Sequence, residues 1–230
     1  MDITDDFMSQ GPSRGTQEEV KLDSIQDVYK RLMEVVNNES LVDQLLPYEE
    51  DVIDHILGQV DHMSETIKDI GPSLGSFCVE QHKIELERIS FLVNKYFRIR
   101  LAKIETRATD LVKLLRSDLS KAEELLSQLE IKYLDKYVTS LDNYFDATVL
   151  EQLPRHLQTF RMRYIPTDPM RDEFDYYFMK AKKNLRLYLK DPITKISADE
   201  EQVSQNDRKL MPFSAIEPHF GPDKDRISIL

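Results

Sequence analysis

The side chains most able to support chemistry in this sequence are its single cysteine and its histidines. Cys78 has His82 four residues later, a spacing that would allow a thiolate–imidazole pair on one face of a helix. The pair falls at the start of a helical segment, where a half-buried structural thiol is the simpler interpretation. We therefore favour a structural role for Cys78.

His55 and His62 are the best candidates for metal ligands, with aspartates interleaved between them. They are seven residues apart, and two helical turns separate the imidazoles by about 10 Å, too far to share one ion. Adjacent glutamate pairs, such as Glu49-Glu50, diverge by about 100° on a helix and cannot converge on one substrate atom. The six glycines form no phosphate-binding loop. The sequence thus predicts no catalytic residue, no metal site and no cofactor.

Composition excludes other function classes. Acidic residues number 42 against 31 lysines and arginines, giving a formal net charge of −11 that repels nucleic acid on average. A single cysteine fits a reducing compartment. The acidic N-terminus does not resemble a secretory signal, and no apolar run approaches the ~20 residues that span a bilayer. We expect a soluble intracellular protein without a membrane partner.

One uninterrupted helix, Ile84 to Glu105, must position most of what remains. It contains no proline or glycine, and at 1.5 Å per residue it would extend for roughly 33 Å. Its apolar residues cover more than one stripe of the helix, which predicts contacts with neighbours on several sides.

Around this central helix the sequence predicts a mainly α fold: an N-terminal all-α helical bundle followed by a small C-terminal β-rich domain. We expect a flexible acidic tail over 1–20 and a bundle of roughly four long helices over 21–153. Asn37-Asn38 and Gly71-Pro72 are predicted to end the first two helices. Ser120 and Glu123 have the spacing of a capping box.

Clustered prolines predict a linker over 154–170, with an edge strand over 160–165, and alternating apolar residues predict strands in the domain over 171–230. The strands are expected over 174–179, 185–190, 210–216 and 226–230. Residues 181–184 should form the turn between the first two, and 191–209 a long loop. A β-rich domain of about 70 residues is close to the lower size limit for independent stability, so it should lean on a partner.

Two basic clusters leave alternatives open. The first lies on the central helix and includes Arg98, Arg100 and Lys103, and the second extends from Lys180 to Arg186. The first could contact phosphates, or its cations could pair with carboxylates of neighbouring helices or subunits. The second could be a nuclear-import-like patch or a solvated hairpin, and both clusters are the candidates for direct DNA binding. The excess of acidic residues favours pairing.

The central helix also carries a family resemblance. Leu86-Glu-Arg-Ile89 followed by Tyr96-Phe-Arg-Ile-Arg-Leu-Ala-Lys-Ile-Glu105 resembles the signature helix of GINS replication-complex subunits of the Sld-five type. The exit from the bundle at Leu153-Pro154, and the order of a large helical domain before a small β domain, are similar to that subunit as well. The resemblance covers about 24–230.

The resemblance implies a non-catalytic structural subunit of the heterotetrameric GINS complex, acting in the nucleus as a scaffold of the replicative CMG helicase. Implied partners are the three other GINS subunits, the Cdc-forty-five protein and the hexameric minichromosome-maintenance motor, with DNA contacted only indirectly. A replisome adaptor trimer and the leading-strand polymerase are further candidates. The alternative is an accessory protein that binds DNA directly through its basic patches.

Two sets of candidate site residues follow from the resemblance. The candidate subunit interface comprises Arg88, Tyr96, Phe97, Arg98, Ile99, Arg100, Leu101, Ile227, Ile229 and Leu230. The candidate adaptor-binding residues are the apolar side chains of the N-terminal tail, Ile3, Phe7 and Met8.

Overall fold

The structure is a computed structural model that describes residues 25–155, 158, 175–190, 197–221 and 226–230. The tail over 1–20 with Ile3, Phe7 and Met8, the strand predicted over 160–165 and most of the 154–170 linker lie outside the described residues. Within the described part, no helix has the length and apolar character that crossing a bilayer would require.

Six α-helices, four long and two short, lie between residues 25 and 148. They are α1 (Ile25–Leu41), α2 (Glu50–Leu74), α3 (Ser76–Thr106), α4 (Ala108–Ser117), α5 (Leu119–Leu125) and α6 (Gln128–Thr148). The central helix α3 has 31 residues, so it extends for about 46 Å. Both α1 and α2 pack along it. The mainly α fold class with a helical bundle and a small β-rich part is confirmed.

The first two helices are longer than predicted. α1 continues through Asn37-Asn38 to Leu41, because Asn38 is buried and its side chain accepts a hydrogen bond from the Ile229 amide. α2 continues through Gly71-Pro72 and ends only at Gly75, whose φ of 82° lies in the left-handed region that favours glycine. Long-range contacts and backbone geometry therefore fixed both ends.

The prediction of a capping box at Ser120 was wrong. Asp118 caps α5 by accepting from the Lys121 amide, while the capping box is at the start of α6. There the Ser127 hydroxyl accepts from the Glu130 amide at 3.2 Å, and the Glu130 carboxylate accepts from the Ser127 amide at 3.0 Å. The same carboxylate also takes part in the buried charge network described below.

The described residues of the C-terminal part form five strands in two antiparallel sheets. They are β1 (Tyr176–Ala181), β2 (Leu185–Lys190), β3 (Ser197–Val203), β4 (Arg208–Pro212) and β5 (Ile227–Ile229). β1 is the central strand of the order β4-β1-β5, and β2 pairs with β3. A one-turn helix, α7 (Phe213–Ile216), follows β4.

Pairing across the sheets overrode three local predictions in this part. The turn after Ala181 joins strands of two different sheets, so β1 and β2 do not form the expected hairpin. The polar stretch predicted as a loop over 191–209 contains β3, because β2 offers it an antiparallel edge. The strand predicted over 210–216 divides into the end of β4 and the helix α7.

A short connector, residues 42–49 between α1 and α2, links all three hydrophobic clusters of the described chain. Val42 and Leu46 belong to the cluster of the β-rich part, together with Met179 and Leu187. Leu45 belongs to the cluster formed by α3, α4 and α6, and Tyr48 packs against the cluster of α1, α2 and α3. The β-rich part thus completes its core with residues of the helical part of its own chain.

Polar contacts hold the β-rich part against α1 and the connector. Besides the bond from Ile229 to Asn38, the Asp43 amide donates to the Tyr177 hydroxyl at 3.2 Å. Lys182 forms an ion pair with Glu34 of α1. These contacts and the shared cluster fix one docking geometry.

Candidate interaction surface on the central helix

The helix α3 has one face that is buried in the fold and an opposite face that is exposed and apolar. The first is its buried face, formed by Val93, Tyr96, Arg100 and Ile104 at spacings of three and four. An arginine in this row is unusual, because a buried charge is destabilising unless it is paired and hydrogen-bonded.

Arg100 meets that requirement fully. Its side chain is 0% exposed, and its Nε and Nη2 donate to the two carboxylate oxygens of Glu130 at 2.7 and 2.9 Å, a bidentate pair. Its Nη1 donates to the Leu46 carbonyl at 2.6 Å, and its Nη2 donates to the Leu125 carbonyl at 2.9 Å. Its guanidinium carbon lies 5.3 Å from the Tyr48 ring centre. Arg100 therefore joins α3 to the connector, α5 and α6.

Lys103, one turn further, extends the network to α1. Its Nζ donates to the Glu39 carboxylate at 2.7 Å and to the Glu39 and Gln44 carbonyls at 2.6 and 2.8 Å. Glu39 is also 3.4 Å from Arg100, so two cations and two anions balance in the interior. We name Glu39, Arg100, Lys103 and Glu130 the buried network.

The electrostatics of the network follow from burial and pairing. Burial by itself would lower the pKa of Arg100, but the hydrogen bond to Glu130 and the charges of Glu39 and Glu130 act together against it, and the pKa is raised. Burial lowers the pKa of Lys103 against the opposing charge of Glu39. Burial also raises the pKa of Tyr48 to about 12. The N–H donors of Arg100 and Lys103 point to acceptors within the protein and not to solvent. The network therefore has a structural role.

The second face of α3 is an exposed apolar row, which we call the outer stripe: Phe77, Ile84 and Phe91. Their exposed fractions are 82%, 64% and 65%. They are spaced by seven residues, so they lie on one line along the helix. Val93 follows Phe91 by two residues, or about 200° of rotation, which places the outer stripe opposite the buried face.

Unpaired cations flank the outer stripe. Arg88 lies between Ile84 and Phe91, and Arg98 follows Phe91 by seven residues; both are exposed. Lys95 is half-buried on the same side. Among the described residues, none of these three cations has an ion pair. The outer stripe therefore offers apolar contact and positive charge to the same neighbour.

The predicted interface residues divide between the two faces and the core. Arg88 and Arg98 are exposed, Phe97, Ile99 and Leu101 are half-buried, and Tyr96 and Arg100 are wholly buried. Tyr96 and Arg100 expose no surface in this conformation, so they cannot contact a partner and belong to the core of the chain.

The predicted residues of the C-terminal segment divide in the same way. Ile227 and Ile229 are buried in the cluster of the β-rich part, whereas Leu230 is 51% exposed. The apolar finish therefore docks on the β-rich part of the chain itself.

The outer stripe was missed as a candidate site. Ile84 and Phe91 were recognised as apolar, but their seven-residue spacing from Phe77 was the signal for a single exposed line. The spacing extends back into the first turn of α3, which the predicted segment from Ile84 did not include.

Several cations of the two basic clusters are paired with carboxylates and are not available to phosphate. Arg100 and Lys103 are consumed by the buried network, so the pairing interpretation holds for both. In the second cluster, Lys182 pairs with Glu34 and Arg186 with Glu200, while Lys180 has no ion pair among the described residues. Searching those residues gives no group of three His, Cys, Asp or Glu side chains placed to hold a metal ion.

A long central helix with a buried charge network on one face and an apolar row on the other is typical of a subunit of a helical assembly. Comparison with known proteins agrees. The GINS complex protein helical bundle domain, Sld5, matches residues 65–148, which include the whole of α3.

Whole-chain relatives extend this similarity. The chain is 26% identical to "DNA replication complex GINS protein SLD5" of Bos taurus over 90% of this chain and 91% of that protein. It is 22% identical to the protein of the same name in Homo sapiens over 93% of each chain, and 30% identical to that of Arabidopsis thaliana over 53% of this chain and 54% of that protein. The resemblance predicted from the sequence is confirmed: the chain is similar to GINS subunits of the Sld5 type, both in its helical bundle and over most of its length.

Proposed function

We propose that this chain acts in DNA replication as a non-catalytic structural subunit of a heterotetrameric GINS complex, and through it as a scaffold of the replicative CMG helicase during initiation and fork progression. The name shared by its relatives, DNA replication complex GINS protein, supports the replication role. The observation that carries the structural role is the outer stripe. Three large apolar side chains on one line of a rigid helix, opposite the face used by the fold, provide a surface for another chain.

The chemistry of the outer stripe specifies its neighbour. Residues repeating every seven positions favour a second helix packed alongside, because each apolar side chain then meets a gap between side chains of the partner. Arg88 and Arg98 at its borders select for acidic residues on that partner helix. Since the cations are exposed, they should contribute more to partner choice and association rate than to affinity.

The proposed partners are the three other GINS subunits, the Cdc-forty-five protein and the hexameric minichromosome-maintenance motor, in the nucleus. ATP hydrolysis would belong to the motor, and the scaffold role itself would require no direct contact between this chain and duplex DNA. Ile3, Phe7 and Met8 are proposed to bind a replisome adaptor trimer, and the leading-strand polymerase is a further proposed partner.

Co-expression of the tagged chain with its proposed GINS partners tests this function. Native mass spectrometry of the purified material should give a four-chain assembly with one copy of this chain. The double substitution Ile84→Ser with Phe91→Ser should reduce recovered partners at least tenfold. Because both side chains are exposed, the free energy of unfolding of the chain should change by no more than about 0.5 kcal/mol each.

A charge reversal supplies the matched control. Arg88→Glu should slow assembly, whereas Lys83→Glu should not, because Lys83 is an exposed cation of the same helix that is already paired with Glu80. Recovery of only a 27.0 kDa monomer from the co-expression would refute the proposed function.

A further inference from the structure

The three-stranded sheet β4-β1-β5 has one face in the core and one face in solvent. Alternation along β1 directs Tyr177, Met179 and Ala181 inward, where Met179 and Ala181 are fully buried. The other three residues of the strand, Tyr176, Phe178 and Lys180, lie on the outward face. We call this outward surface, with the residues that pair with it on β4 and β5, the sheet platform.

The aromatic residues of the sheet platform are unusually open. Tyr176 is 54% exposed and Phe178 is 61% exposed, and neither ring contacts another ring among the described residues. Their neighbours across the β1–β4 pair are Pro212 and Leu210. On the β5 side, the Leu230 amide donates to the Phe178 carbonyl. Two residues along a strand correspond to about 7 Å, close to the spacing of successive bases in an extended single strand.

Basic side chains lie on the same face of the sheet, at one end of it. Lys180 lies directly across the strand pair from Arg208, and exposed Arg226 lies at the start of β5 at the same end of the sheet. None of the three forms an ion pair with another residue, as far as the structure describes the chain. The described residues of the outward face include no acidic side chain.

This contrasts with the rest of the β-rich part. There, Lys182, Arg186 and Lys209 each pair with a glutamate: Glu34, Glu200 and Glu201. In a chain with a net charge of −11, cations without an ion pair among the described residues, beside exposed rings, form a local positive surface that can attract an anionic ligand.

We propose that the sheet platform binds single-stranded nucleic acid. The rings of Tyr176 and Phe178 stack with two successive bases, and Lys180, Arg208 and Arg226 contact the adjoining phosphates. Stacking tolerates any base, because every base has a flat face. A duplex would not bind this way, since its bases are already stacked on one another. The platform is separate from the outer stripe, so it adds a function to the proposed structural one.

The net negative charge of the chain keeps the expected affinity modest and dependent on salt. Neutralising two to three phosphates of a single strand predicts a slope of log affinity against log salt of about −1.4 to −2.

Fluorescence anisotropy of a short labelled oligothymidine, titrated with the full chain or its purified complex, tests the proposal. Binding should exceed that of a duplex of the same length and weaken with salt. Phe178→Ala should weaken binding by about 5- to 160-fold, the range for loss of one stacked base. Phe178→Tyr should keep it, because the ring is retained. Tyr188→Ala is the matched control: Tyr188 is 54% exposed but lies on β2 in the other sheet, so this change should leave binding as it was.

The charge variants separate phosphate contacts from stacking. Arg208→Ala should make the salt slope shallower by about 0.7, the value of one phosphate contact. Arg186→Ala, which removes an exposed cation of the other sheet, should leave the slope unchanged. Circular dichroism of each variant verifies that the fold is intact.

Three results would overturn the proposal. One is the absence of salt-sensitive binding to the single strand, and another is equal weakening by Phe178→Ala and Tyr188→Ala. The third is loss of a co-purified protein from the Phe178→Ala variant with nucleic-acid binding unaltered, which would identify the platform as a protein-binding surface. The structural role is tested by the mass of the assembly and by substitutions on α3. Failure of the structural role and failure of nucleic-acid binding can therefore be told apart.

Discussion

Arg98 and Arg100 lie two residues apart on α3, and the fold uses them in opposite ways. Arg100 is wholly buried and bonded to α6, α5 and the connector, whereas Arg98 is exposed and without an ion pair among the described residues. The two side chains are chemically identical, so the difference comes only from the face of the helix on which each one lies. The position on the helix, not the residue type, determines which arginine stabilises the chain and which is free for a partner.

The same contrast holds for the two faces as wholes. The residues of the buried face have their partners elsewhere in the same chain. Arg100 donates hydrogen bonds to the carboxylates of Glu39 and Glu130 and to the Leu46 carbonyl. The outer stripe has apolar side chains of similar size but nothing covering them in the described part of the chain. A chain that completes one face of its longest helix and leaves the other open is suited to an assembly.

The largest expected effect comes from breaking the buried face. Arg100→Ala would leave Glu130 and the Leu46 carbonyl buried without their donor, and removal of one member of a buried ion pair typically destabilises by about 3–5 kcal/mol. Chemical denaturation of the full chain or its complex measures the change. Arg98→Ala is the control and should change the free energy of unfolding by less than about 0.5 kcal/mol. Equal losses for the two variants would contradict the assignment of the faces.

A smaller effect should follow from loosening the support of Glu130. Ser127→Ala removes the capping hydroxyl, which should cost about 1 kcal/mol in the free energy of unfolding. Ser120→Ala is the control, because Ser120 is an exposed serine within α5 that caps nothing there. If Ser120→Ala were the more damaging of the two in thermal denaturation, the placement of the capping box would be incorrect.

The smallest effect concerns pH. The pKa of Tyr48 is about 12 in the folded chain and 10.0 in the unfolded chain, chiefly because burial disfavours the phenolate. The unfolded chain therefore releases this proton first, and stability that is complete below pH 10 is lost as pH rises toward about 12. Tyr48→Phe should flatten the decline in denaturation midpoint over this interval. An unchanged decline would show that Tyr48 titrates normally in the folded chain.

Individual helices and strands show which parts of the fold could be predicted from the sequence. The long uninterrupted apolar pattern around Tyr96 predicted the central helix, because helical periodicity is local. The alternation of Leu185, Leu187 and Leu189 predicted β2 with its correct bounds. The helix ends at Asn38 and Pro72 were placed too early, because a contact from β5 and the positive φ of Gly75 decide them. The strand β3 was missed, since its acidic composition resembles a loop until β2 pairs with it.

For the candidate site the division is similar. The sequence located the relevant helix and predicted that it would be covered on several sides, but it placed Tyr96 and Arg100 among interface residues that the structure buries. No local signal shows that Glu130, 30 residues away, will form two hydrogen bonds with Arg100. The heptad spacing of Phe77, Ile84 and Phe91 was readable in the sequence, but their exposure was not.

The sequence by itself determined the mainly α fold class, the order of a helical bundle before a β-rich part and the resemblance to GINS subunits of the Sld5 type. These depend on composition, periodicity and a contiguous motif, all of which are local properties of the chain. The tertiary structure alone decided which face of α3 is buried in the fold and how residues 42–49 join the three clusters. It also decided that the outward rings of β1 lie beside cations with no ion pair among the described residues. These depend on contacts between residues distant in sequence, whose partners are set only when the chain packs on itself.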